Sequence, residues 1–111
     1  MNNIQIFRAN RGEGKTKWLF EMAADEHSKG KTLYYVGERG SMRGLINSWE
    51  ANFHEKCPII HIDEVQRFEN PCCFLTDEMM FNLFHVNIWK RVIAGRDDPW
   101  YIAAEKEYFV N

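Results

Sequence analysis

A strong charge of either sign, paired cysteines, long apolar runs and internal repeats are all missing from this 111-residue chain, and each absence removes a class of protein. With a formal net charge of -2, no global field draws in nucleic acid, so any DNA or RNA contact would need a local patch. Cys57, Cys72 and Cys73 are odd in number, and the adjacent pair cannot easily bridge itself. A disulfide scaffold is therefore not expected, and a reducing compartment is. His54 and Cys57 with Cys72 or Cys73 would be the raw material for a zinc site, but the second half lacks C-x-x-C spacing, and buried free thiols are the commoner explanation. No apolar run approaches membrane-spanning length and no charged-then-apolar leader opens the sequence. The expectation is a cytoplasmic protein without membrane contact, folded as one domain over 1–111, with room for a single sheet and its covering helices.

What is present is concentrated near the start. Ile4-Gln5-Ile6-Phe7-Arg8 reads as a short strand, covered on both faces and central in its sheet, that breaks into Ala9-Asn10-Arg11-Gly12-Glu13-Gly14-Lys15-Thr16-Lys17. Against the phosphate-loop pattern G-x-x-x-x-G-K-[ST], Ala9 replaces the first glycine while Gly14, Lys15 and Thr16 match outright. The later glycines let backbone N–H groups face phosphate oxygens with no Cβ in the way. Free N–H groups at the start of the next helix, the positive end of its dipole and the Lys15 ammonium would converge on one anion, with the Thr16 hydroxyl on Mg²⁺. The plainer alternative is a glycine-bearing loop before a helix, with Lys15 merely solvated.

Leu19, Met22, Ala23 and Glu26 recur at helical spacing from Gly14 to about Lys29, and Gly30 stands where a left-handed residue would end the helix. Lys31 to Val36 reads as a second strand and Gly37-Glu38-Arg39-Gly40 as a turn. Met42, Leu45, Ile46, Trp49 and Phe53 then mark an amphipathic helix from Ser41 to about His54. Alternating strands and helices call for a parallel sheet with right-handed crossovers. Pro58-Ile59-Ile60-His61-Ile62-Asp63-Glu64 reads as a buried strand ending in two carboxylates and resembles a Walker B segment, a resemblance that implies Asp63 on Mg²⁺ with Thr16 and Glu64 polarising an attacking water. Thr76 reads as a helix N-cap followed by Asp77 and Glu78, with Met80, Leu83 and Phe84 as the buried side. Val86 to Ala94 reads as a fourth strand. Trp100-Tyr101-Ile102 is left as strand or loop, and Tyr108-Phe109-Val110 as a possible fifth strand.

The Lys15-Thr16 loop and the Asp63-Glu64 strand end, separated by one complete strand-helix unit, resemble the additional-strand, catalytic-glutamate division of P-loop NTPases, which includes the RecA-like, AAA+ and viral packaging ATPases. Asp63-Glu64-Val65-Gln66-Arg67-Phe68 is similar to the D-E-x-Q-x-F run of thymidine kinases and filamentous-phage assembly ATPases, and Gly40-Ser41-Met42 to a stretch of large-terminase motors. The thymidine-kinase zinc cysteines and substrate lasso, and a terminase nuclease domain, have no counterpart. The resemblance implies a three-layer α/β sandwich with a mostly parallel sheet of four to five strands. It further implies ATP and Mg²⁺ as ligands, catalytic roles for Lys15 and Glu64, and γ-phosphate sensing by Arg96 at the end of the fourth strand. The compressed length fits a phage or mobile-element protein acting in DNA packaging or remodelling in the host cytoplasm.

Three functions follow as expectations. The first is a small Mg²⁺-dependent ATPase whose arginine finger, from Arg39, Arg43 or Arg96, serves a neighbouring subunit or comes from a larger partner. The second is a thymidine-kinase-like phosphotransferase in which Glu64 deprotonates a sugar hydroxyl. The third is a nonenzymatic nucleotide-binding regulator or inhibitor.

Overall fold

The computed structural model describes residues 4–8, 14–63, 65, 68, 70–77 and 100–105. Their elements run β1 (Ile4–Arg8), α1 (Lys15–Ser28), β2 (Thr32–Val36), α2 (Arg39–Phe53), β3 (Ile60–Ile62), β4 (Cys72–Asp77) and β5 (Trp100–Glu105). All five strands are parallel and lie in the order β1-β5-β4-β2-β3.

The first half follows local signals. α1 ends in a Schellman arrangement: Gly30, at φ 88, sends its N–H to the His27 carbonyl, and the Lys31 N–H reaches Glu26. The left-handed glycine thus satisfies two carbonyls that the helix end would orphan. α1 and α2 lie on the same face of the sheet, where Leu19, Phe20, Ala23, Met42, Leu45 and Trp49 pack on Leu33, Tyr35, Cys73, Leu75 and Ile102. The other face carries Tyr34, Val36, Phe74, Tyr101 and Ala103, over which Val65 and Phe68 pack. Phe68 stacks on Tyr34 at 4.2 Å between centroids.

Burial ranks the strands. β4 is buried from Cys72 through Thr76 on both faces, as a central parallel strand requires, whereas Ile60 of β3 is 47% exposed. The expected central position of β1 is not found: among the described strands it lies at one end of the sheet, next to β5. Nor is the Ile60–Ile62 segment a buried strand, since it lies at the opposite end and pairs with β2 alone among the described strands. Thr76 does not cap a helix. It is a buried strand residue whose hydroxyl donates to the Val36 carbonyl at 2.8 Å. Trp100 to Glu105 is strand, inserted between β1 and β4.

The rest of the short helix expected from Thr76 through Phe84, the strand at Val86 to Ala94 and the strand at Tyr108 to Val110 fall outside the described residues. No described helix is long and apolar enough to cross a membrane.

Candidate functional site

In a parallel sheet the loops that follow the strands collect at one edge, and ligands of open α/β sheets bind there, where the direction of chain winding reverses. Here the chain leaves β2 for β3 on one side, while the next described strand after β4 is β5 on the other. β2 and β4 are neighbours, so the reversal lies between them. The carboxyl ends of these strands, together with the start of α1, form the candidate site.

α1 begins directly behind β1. Its N-cap, Gly14, has φ 87 and ψ 25, the left-handed conformation that a side chain strains, although a Cβ would meet no atom within 4 Å. Glycine is thus required by backbone shape and not by crowding. Lys15 is half-buried and Thr16 exposed in the first turn, and no acidic side chain occupies that turn to neutralise the dipole. Lys17 points to solvent and approaches Glu21 at 4.0 Å. Phe7 stacks on Trp18 with centroids 5.1 Å apart, which fixes the start of α1 over the end of β1. Ala9, Asn10, Arg11, Gly12 and Glu13 lie outside the described residues, as do Glu64 and Arg96.

Register decides which acidic strand end lies nearer to the end of β1. Phe7 pairs with Ala104, and Ala104 with Asp77, so Asp77 ends β4 level with the end of β1 and one strand removed from it. At about 4.8 Å per strand the lateral separation of β1 and β4 is about 10 Å. Asp63 follows β3, with β5, β4 and β2 all intervening, a separation of about 19 Å on the same spacing. The sheet order thus carries Asp63 to the opposite end of the described strands from β1, and it is exposed there. The residue that sequence reasoning passed over is Asp77, followed in the chain by Glu78. A signal for it existed, since Cys72 to Glu78 is also an apolar run closing on two acids.

The Asp77 carboxylate is held. The Tyr35 hydroxyl donates to its Oδ2 at 2.9 Å. Burial, then the neighbouring Asp77 charge, push the Tyr35 phenol well above its ordinary range, so it remains a donor. On the outer side, His61 Nε2 contacts the Gly37 carbonyl and its ring lies 6.4 Å from that of Tyr35.

A hydroxyl and a carboxylate are hard oxygen donors that suit Mg²⁺, an ion that keeps several waters and takes one or two carboxylates beside phosphate. Thr16 and Asp77 fit that donor set. The cysteines offer no alternative centre: Cys73 belongs to the helix-covered core and Cys72 to the opposite one, so adjacent thiols diverge across β4. Among the described residues no three His, Cys, Asp or Glu side chains converge as a metal site.

No protein family, no characterised protein and no solved structure matches the chain.

Proposed function

We propose that this protein binds ATP with Mg²⁺ at the carboxyl edge of its sheet and hydrolyses it. The observation that carries the reading is the register of Asp77: a carboxylate closes β4 level with the end of β1, with β5 interposed, while the segment after β1 enters α1 through a left-handed glycine followed by Lys15 and Thr16. An interposed strand between loop strand and acidic strand is what the additional-strand resemblance implies.

In this reading the free N–H groups at the start of α1 face the phosphates, and Lys15 neutralises the β and γ oxygens. Thr16 and Asp77 hold the metal, the role first expected of Thr16 and Asp63. Bound Mg²⁺ supplies positive charge to the phosphate oxygens as the bond to the leaving group breaks. Glu78, next in the chain, takes the water-orienting role assigned from sequence to Glu64, and Arg96 remains the candidate phosphate sensor.

The test is nucleotide binding and phosphate release by the native chain and three variants, Lys15→Ala, Asp77→Asn and Asp63→Asn. A fluorescent ATP analogue with Mg²⁺ is expected to bind the native chain and Asp63→Asn alike, and at least tenfold more weakly to the other two, in line with the loss of one ligand or charge-assisted contact. Native affinity in Lys15→Ala overturns the phosphate reading. A loss confined to Asp63→Asn overturns the assignment of Asp77.

A further inference from the structure

Tyr35 is 1% exposed, packed among apolar side chains beneath α1 and α2. For filling that space a phenylalanine would serve equally well, so the hydroxyl calls for a separate account. It is spent on Asp77.

The backbone register explains how it reaches. Tyr35 pairs with Leu75, one same-face step short of Asp77, and successive same-face residues are about 6.7 Å apart along a strand. The Tyr35 ring leans along β2 to cover that step. In doing so it occupies the space over Gly37, where an added Cβ would lie 2.7 Å from Cε2 and 2.9 Å from both Cζ and the phenol oxygen. Gly37 is not among the described glycines with positive φ, so the ring and not the backbone excludes a side chain there. Two separate features, a hydroxyl aimed at a carboxylate and a cleared space for the ring that carries it, therefore serve one contact between β2 and β4.

We propose that Tyr35 is the positioning residue of the metal-binding carboxylate, fixing the rotation of Asp77 through its O–H so that the carboxylate faces the cation at the end of β4. The proposal rests on the ATP-Mg²⁺ reading. Partners that orient a metal ligand set its affinity for the ion, and their removal weakens metal binding by about 10- to 100-fold. A ring without the hydroxyl removes one of the contacts that orient the carboxylate, so metal binding must then do more of the ordering.

The decisive measurement is the gain in affinity for a fluorescent ATP analogue when EDTA is replaced by Mg²⁺, read beside the melting temperature in EDTA without nucleotide. For Tyr35→Phe the affinity in EDTA is expected to be native and the Mg²⁺ gain to fall about tenfold. Gly37→Ala, which keeps the hydroxyl but crowds the ring and the phenol oxygen out of their place, is expected to reduce the gain in the same way, and Asp77→Asn to abolish it. A lower melting temperature with an undiminished Mg²⁺ gain in Tyr35→Phe and Gly37→Ala, while Asp77→Asn loses the gain, overturns the positioning role and leaves the ATP reading intact. An undiminished gain in Asp77→Asn itself removes the metal assignment beneath both.

Discussion

Replacing Lys31 by methionine isolates the most exposed weakness in the crossover from α1 to β2. Glu26, on the last turns of α1, is 1% exposed, and its carboxylate is held by Lys31 Nζ at 2.6 Å from Oε2 and by Lys29 Nζ at 3.3 Å from Oε1. The two lysines are unequal partners: the Lys29 side chain is 56% exposed and also shared with Asp25 at 3.1 Å, whereas Lys31 is 25% exposed and lies 4.4 Å over the Trp100 ring. Methionine keeps the apolar stem on the indole and removes only the charge. Breaking a buried pair from one side costs about 3 to 5 kcal/mol, and the water-screened Lys29 offsets little of it, so a loss of about 3 kcal/mol is expected. For a chain of this size that lowers the melting temperature by about 10 °C or more. Urea unfolding with linear extrapolation reads the change, and adding Glu26→Gln to Lys31→Met should restore about 1 to 3 kcal/mol relative to the sum of the single variants. Because the carboxylate is buried, the difference should persist in high salt. A loss under about 0.5 kcal/mol, or strictly additive variants, would refute the claim that Glu26 depends on Lys31.

Two further outcomes follow from the same packing. Leu75→Ala, at the fully buried centre of β4, should cost about 3 kcal/mol by leaving a cavity between the sheet and the helices, and a urea midpoint unchanged from native would contradict the central placement of that strand. Stability should also fall on the alkaline side: burial pushes the Cys73 thiol up, and burial with the Asp77 charge pushes the Tyr35 phenol up, so both keep their protons in the fold after the unfolded chain begins to lose them. The unfolded state then binds fewer protons, and the stability fully present below pH 9 declines above it, by at most about 1.4 kcal/mol per pH unit for each group. Cys73→Ser should flatten the part of that decline that sets in near pH 9, and an unchanged slope there would exclude the thiol as its source.

The extent to which the site was legible in the residues divides at residue 54. Helix periodicity, the Gly30 stop and the branched and aromatic content of Thr32–Val36 are local properties, and each element they predict is present within a few residues of its expected bounds. Asp63 and Asp77 each close an apolar run, but only Asp63 reads as a strand end and Asp77 reads as a helix first turn; nothing within either run says which lies nearer the strand that precedes the glycine loop. Thr76 followed by two acids has the composition of a helix start, yet pairing with Val36 and Ala103 makes it a strand residue. Strand pairing overrode the capping preference.

By itself, then, the order of residues determined that strands alternate with helices through the first half and that a backbone needing φ above zero precedes Lys15 and Thr16. Only the tertiary structure decided which strands are neighbours, by inserting β5 beside β1 and sending β3 to the opposite end of the described sheet. The physical reason is that a strand's side-chain pattern records which faces are covered, whereas its neighbours are chosen by backbone hydrogen bonds between distant segments, and those carry no residue signature.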